Sequence, residues 1–206
     1  MHKLEIPRKT VYRLSIYQRC LQRLKENHVE TVSSEALAKA AGVKSTQLRK
    51  DITYFGQFGT RGLGYNIDGL SSAINEVLGR SHLQPVILIG VGNLGAALLR
   101  YGGFQKEGFE IVAAFDIKPD PSRMKGLKIP LLDSTILTSF IHEHHIKMAI
   151  LTVPATHAQE VVNRMTESGI QAILNFSPVV LEVSKNVVVN NVDLAVELEN
   201  LSYFIR

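Results

Sequence analysis

The chain has 206 residues, 45% of them hydrophobic and 20% charged, with a net charge of +4. That balance excludes an intrinsically disordered chain and leaves room for two packed domains. No run of 18 apolar residues is present, so no membrane-spanning helix is expected. The polar start MHKLEIPRKT lacks the apolar stretch of a secretory signal, and the single Cys20 rules out an internal disulfide. A reducing, cytoplasmic location is therefore expected.

The charge is uneven. Residues 1–80 carry 13 Lys/Arg against 7 Asp/Glu (+6), and residues 81–206 carry 10 against 12 (−2). A basic first part points to a polyanionic partner. In chain order, Pro7 to about Asn27 reads as a helix with Val11, Leu14, Leu21 and Leu24 on one face. Ser33 and Ser34 supply N-cap chemistry for a short helix over Glu35–Ala40. Ala41–Val43 is a turn, and Ser45 or Thr46 can cap a third helix running to about Phe55. This spacing is that of a helix-turn-helix. The Gly-rich segment Phe55–Tyr65 (FGQFGTRGLGY) reads as a hairpin with Arg61 near its tip, the wing of a winged helix. Gly69–Gly79 is a further helix and Arg80–Gln84 a linker, which puts a DNA-binding domain at residues 1–80.

On the third helix, Ser45, Thr46, Gln47, Arg49 and Lys50 are short polar or basic side chains suited to base edges and phosphates. Arg pairs bidentately with guanine and Gln with adenine. Lys44, Arg61 and the basic residues of the first helix suit phosphates.

From Pro85 the pattern becomes alternating strands and helices. Strands are expected at Val86–Gly90, Phe109–Asp116, Ile129–Leu132, Met148–Val153, Gln171–Asn175 and Val187–Asn190. Helices are expected at Asn93–Arg100, Ser134–His144, Ala155–Ser168 and Leu194–Ile205. Such alternation predicts a doubly wound parallel sheet of the Rossmann type over residues 85–191. The first strand runs into Gly90-Val91-Gly92-Asn93-Leu94-Gly95, a GxGxxG segment that opens a helix. Its glycines serve a tight turn, close approach to a pyrophosphate, and helix–sheet contact. The second strand ends in Asp116, placed to accept hydrogen bonds from a ribose and to repel a 2′-phosphate. NAD is thus favoured over NADP, with Ile117 and Lys118 beside the same site.

Other chemistries have thinner support. An NAD-dependent oxidoreductase acting on a small carbonyl substrate is the main alternative, with His157 as its best acid/base. However, there is no Tyr-x-x-x-Lys pair, since Gln105 stands four residues after Tyr101. His142, His144 and His145 cluster before a strand without a ligand set spaced for zinc, so no metal is expected. A CoA- or nucleotide-binding interaction module is a further alternative.

The strings STQLRKDITYFGQFGTRGLGY (Ser45–Tyr65), VGNLGAALLRYGGF (Val91–Phe104), TVPATHAQ (Thr152–Gln159), ILNFSP (Ile173–Pro178) and VDLAVELENLSY (Val192–Tyr203) resemble the bacterial Rex family of redox-sensing transcriptional repressors over nearly the whole length. The resemblance implies a non-enzymatic repressor and a homodimer that binds palindromic operators. It implies that DNA is held in the apo or NAD+ state and released by NADH. It also implies that residues 192–206 form a C-terminal helix swapped between protomers. Carried over residue by residue, it places a switch interaction on Arg19, Tyr101 and Asp193, with Tyr101 also beside the cofactor. Leu194 stands where some members have a nicotinamide-facing phenylalanine. Phe104, Thr152, Val153 and Pro154 are expected where the cofactor crosses the sheet.

Overall fold

The computed structural model describes residues 6–56, 58–60, 64–80 and 82–205. It divides into two units, Met1–His82 and Leu83–Arg206. The division falls within the expected linker.

In the first unit, α1 (Arg8–Glu26) follows Pro7, whose carbonyl accepts from Thr10 N and Val11 N. Its buried face is Thr10, Leu14, Tyr17, Gln18, Cys20 and Leu21. Val11 is not on that face: it is 37% exposed, whereas Thr10 is 3% exposed. The hydroxyl of Thr10 is drawn into a polar cluster described below, and Val11 is left at the edge of the stripe. Strand β1 (Thr31–Val32) leads to α2 (Ser34–Ala40), capped by the Ser33 hydroxyl accepting from Ala36 N at 3.1 Å. Helix α3 (Ser45–Ile52) differs from expectation at both ends. Its N-cap is Lys44, with no side-chain cap bond, and it stops at Ile52 in a turn rather than at Phe55.

Strands β2 (Gly59–Thr60) and β3 (Gly64–Asn66) form the expected antiparallel hairpin, and β1 adds to β3 to give the order β1-β3-β2. The hairpin tip, with Arg61, lies outside the described residues. Asn66 caps α4 (Ile67–Val77) by accepting from Gly69 N at 2.8 Å. Leu14, Tyr17, Leu21, Leu37, Leu48, Ile52, Tyr65, Ile67, Leu70 and Ile74 fill the core of this unit. Helices α1, α2 and α3 with the small antiparallel sheet, followed by α4, are a winged helix-turn-helix.

The second unit holds six parallel strands: β4 (Gln84–Ile89), β5 (Phe109–Asp116), β6 (Leu131–Asp133), β7 (Met148–Leu151), β8 (Ala172–Asn175) and β9 (Val188–Asn191). Their order is β6-β5-β4-β7-β8-β9, which in order of appearance is 3-2-1-4-5-6, the Rossmann order. Alternation along β4 feeds both faces. Ile87 and Ile89 pack with α7 (Leu137–Glu143) and α8 (Ala155–Glu167), while Val86 and Leu88 pack with α5 (Asn93–Leu99). The sequence pattern does not disclose the one-turn α6 (Gly103–Lys106) or the 3₁₀ turn Pro121–Met124. The segment expected as one helix from Ser134 begins instead as a 3₁₀ turn, Ser134–Ile136, before α7. Helix α9 (Leu194–Tyr203) buries none of its residues. Among the described residues no helix is long and apolar enough to cross a membrane.

Candidate functional site

In open sheets a ligand crevice forms where the strand order reverses, beyond the carboxyl ends of the strands. Here that point lies between β4 and β7, which end at Ile89 and Leu151. Gly90 and Thr152 face each other across it. The Thr152 hydroxyl is 2.6 Å from Gly90 O and 3.0 Å from Ile89 O, and Gly90 N donates to Phe115 O at 2.8 Å.

The three motif glycines have different physical reasons. Gly90 has φ +98°, and a Cβ there would lie 2.8 Å from the backbone of Thr152. A Cβ on Gly95 would lie 2.1 Å from Gly90 O. A Cβ on Gly92 would meet nothing within 4 Å. Gly90 and Gly95 are thus fixed by the protein's own packing. Gly92 is not, and the side of the loop it leaves clear suits a pyrophosphate, which needs the backbone to come close. Gly92 also sits at the N-cap of α5, with Asn93 the first helical residue and Leu94 exposed beyond it.

Asp116 ends β5 beside this loop. Its Oδ2 accepts from Val91 N at 2.7 Å and its Oδ1 from Lys118 N at 2.9 Å. An ionised carboxylate offers about four lone-pair positions, so two backbone bonds leave acceptors for vicinal hydroxyls. The loop and its acid are therefore one hydrogen-bonded piece and fit an adenosine-bearing dinucleotide. Ile117 and Lys118 are exposed beside the carboxylate. On the β7 side, Val153 O accepts from the Ser177 hydroxyl at 2.6 Å, and Pro154 is the N-cap of α8. Tyr101 is exposed, with its ring edge-on to Phe104 at 5.0 Å. Among the described residues no group of three His, Cys, Asp or Glu side chains is arranged to hold a metal ion.

In the first unit, Lys44, Thr46, Arg49 and Lys50 are exposed along α3, with Ser45 and Gln47 half-buried. Arg49 donates to Ser34 Oγ (3.1 Å), Glu35 Oε1 (3.2 Å) and Ser45 Oγ (3.3 Å), which holds its guanidinium at the α2–α3 junction. Gln47 donates its amide to Asp51 Oδ1 at 2.9 Å.

Asp51 is the group that inspection of the sequence misses. It is 1% exposed, and five donors converge on it. Oδ2 accepts from Arg13 Nε (2.6 Å) and Tyr17 Oη (2.8 Å). Oδ1 accepts from Arg13 Nη2 (2.7 Å), Gln47 Nε2 and Thr10 Oγ1 (3.3 Å). Burial pushes its pKa upward, but the bonds from Arg13, Tyr17 and Gln47 outweigh it and hold the carboxyl below its ordinary range. The bond to Asp51 keeps Arg13 charged beyond its ordinary value, against its own burial. Burial and then the same carboxylate push the Tyr17 phenol up. The available sequence signal was a lone acid in a helix of cations, with Thr10, Arg13 and Tyr17 at helical spacing on α1.

Of the switch residues the resemblance implies, Arg19 is exposed on α1. Asp193 caps α9, accepting from Ala195 N (2.9 Å) and Val196 N (3.3 Å).

Comparison with known proteins follows the same two-part division. Residues 5–53 match a family described as "Putative DNA-binding protein N-terminus", and residues 82–179 match the CoA binding domain family. The chain is similar to the redox-sensing transcriptional repressor Rex of Pelotomaculum thermopropionicum, with 44% identity covering 98% of this chain and 95% of the relative. It is similar also to that of Syntrophomonas wolfei, with 45% identity covering 100% and 98%. Among solved structures it resembles RSP in complex with β-NAD+ and operator DNA, at 36% identity and TM-score 0.88, covering 98% of this chain and 94% of that one. RSP in complex with β-NADH matches at 33% identity and TM-score 0.85, covering 98% and 95%.

Proposed function

Because this chain belongs to the Rex family of redox-sensing transcriptional repressors, we propose that it represses transcription by holding operator DNA with its first unit and reads the NADH/NAD+ ratio with its second. It is a regulator and not an enzyme. The observation that carries this reading is the presence in one chain of a basic recognition helix and a GxGxxG loop tied to a ribose acid. A relative of the same fold binds both kinds of ligand.

For DNA, Ser45, Thr46, Gln47, Arg49 and Lys50 face the major groove, and Lys44 and Arg61 the phosphates. Gln47 can read a base only by sharing or releasing Asp51. Arg49 is held by exposed partners worth little, so it is free to exchange them for a phosphate or a guanine. For the dinucleotide, Gly90, Val91, Gly92, Asn93, Leu94 and Gly95 take the pyrophosphate and Asp116 the adenine ribose. Ile117, Lys118, Tyr101, Thr152, Val153 and Pro154 line its path.

Reduction removes the positive charge of the nicotinamide, and a ligand shifts a conformational equilibrium only by as much as it binds the two states differently. Arg19, Tyr101 and Asp193 are the residues proposed to register that difference. The exposed apolar residues of α9 support a homodimer, which matches a palindromic operator whose half-sites lie about 34–36 Å apart per helical turn. A protein that works on bacterial DNA is expected in the cytoplasm.

Fluorescence anisotropy of the full chain on a promoter DNA pool, at fixed salt because phosphate contacts are salt-dependent, tests the reading. NADH is expected to release the DNA and NAD+ to leave it bound. Binding of NADH without any binding of DNA would return the oxidoreductase alternative to first place.

A further inference from the structure

The phosphate loop Gly90–Gly95 contains no cationic side chain, yet one is delivered to it from elsewhere in the chain. Arg123 stands on the 3₁₀ turn Pro121–Met124, and its Nη1 donates to the Asn93 side-chain oxygen at 3.1 Å. Asn93 directly follows Gly92, the glycine whose Cβ would meet open space. The guanidinium is therefore held beside the part of the loop suited to a pyrophosphate. Asp116 reaches the loop at Val91 instead.

The turn that carries Arg123 is itself anchored on several sides. Met124 is buried in the core with Val91, Ala96 and Leu99. Arg100 binds Ala96 O (2.8 Å) on α5 and Arg123 O (2.7 Å) at once, so the turn is tied to the helix that follows the loop. Asp120 caps the turn through Ser122 N at 3.0 Å and lies 3.6 Å from Arg123 Nε. An arginine has five N–H donors, more than Asn93 and Asp120 use, and its side chain is 38% exposed.

We infer that Arg123 is the cation that pairs with the diphosphate of the bound dinucleotide, reaching it alongside Asn93. This rests on the dinucleotide reading of the second unit. In a region of slightly acidic net charge, a pre-positioned guanidinium neutralises part of the ligand's charge, and its fork geometry suits phosphate oxygens better than a lysine would. Lys118 is not equivalent, because its backbone N–H bonds Asp116, the proposed ribose partner, and not the phosphate loop.

The test is calorimetric titration of the full chain and its R123Q and R123K variants with NADH, ADP-ribose, adenosine and NADPH, at two salt concentrations. R123Q is expected to weaken NADH and ADP-ribose about tenfold, as loss of a charge-assisted phosphate contact should. Adenosine binding and the thermal midpoint of the free protein stay unchanged. The deficit narrows at high salt, and R123K recovers part of it. Equal ADP-ribose affinity in R123Q and the parent overturns the inference while leaving the dinucleotide reading intact. A parallel loss of adenosine, or a loss confined to NADPH, overturns it too, by placing the side chain on the nucleoside or its 2′-position. If the parent chain binds neither NADH nor ADP-ribose, the dinucleotide reading fails and this inference fails with it.

Discussion

Replacing Asp116 by alanine removes the acceptor of both the Val91 and Lys118 N–H groups and the proposed ribose partner in one step. A hydrogen bond to a charged group is worth about 1.5–3 kcal/mol, so D116A should weaken NADH binding tenfold or more. It should leave ligand-free DNA affinity unchanged. Lys50, exposed on α3 with its side chain clear of the Asp51 cluster, is the complementary case. K50A should leave NADH affinity as it is, weaken DNA binding, and reduce the slope of log affinity against log salt by about one if its contact is a phosphate. Calorimetry for the nucleotide and anisotropy for DNA read the two effects separately. Equal loss of both activities in both variants would contradict a division of labour between the units. Both residues are legible as candidates in the sequence, because each is proposed from a local motif. Arg123 was not, because its partner Asn93 lies 30 residues earlier and only the tertiary fold brings them together.

At the scale of elements, α1 and α3 are bolted together by a buried ion pair rather than by apolar contact alone. The carboxylate of Asp51 is 1% exposed and its partner Arg13 is 21% exposed. Removing one member of such a pair leaves the other desolvated and unpaired, which costs about 3–5 kcal/mol. D51N should therefore lower the unfolding free energy of the first unit by about that much and reduce DNA affinity. NADH binding by the second unit should persist. The pH dependence has a definite sign. Asp51 is held below its ordinary range, so its stabilisation is full above the unfolded-state value near about 3.9 and is lost as pH falls through the lower folded value. Denaturant unfolding at pH 7 should separate the parent from D51N widely, and the gap should close below about pH 4. A gap that stayed constant down to pH 2 would mean the carboxylate charge is not what holds the helices. This bolt was hidden in the sequence because its partners on α1 lie 34 to 41 residues away. The same long-range contact explains why Thr10 displaces Val11 from the expected apolar face. The two-residue β1 was invisible for a related reason, since only pairing with β3 makes it a strand. By contrast, the run β4, Gly loop, α5, β5 and Asp116 is dictated by contiguous sequence and was read almost to the residue.

For the molecule as a whole, α9 poses a question of stability that the chain by itself does not answer. A ten-residue helix is marginal in water unless a packed face supports it, and α9 buries no residue. Leu194, Leu198, Leu201 and Tyr203 are all more than 60% exposed, and Phe204 and Ile205 at its end are 80% and 85% exposed. A cluster of this size on one short element marks an interaction surface, and the two-fold dimer proposed for this chain supplies a partner that another copy always carries. Introducing charge into that face, as L198E/L201E, should convert a dimer into a monomer in sedimentation velocity and melt the helix. It should abolish tight binding to a two-half-site operator while sparing the weak binding of one winged helix to a half-site. The GxGxxG loop and Asp116 lie on β4, α5 and β5, so the nucleotide should still bind. The transmission of its redox state to DNA should disappear with the dimer. A variant that stayed dimeric would move the interface off α9 and leave its exposed apolar residues in need of a different partner.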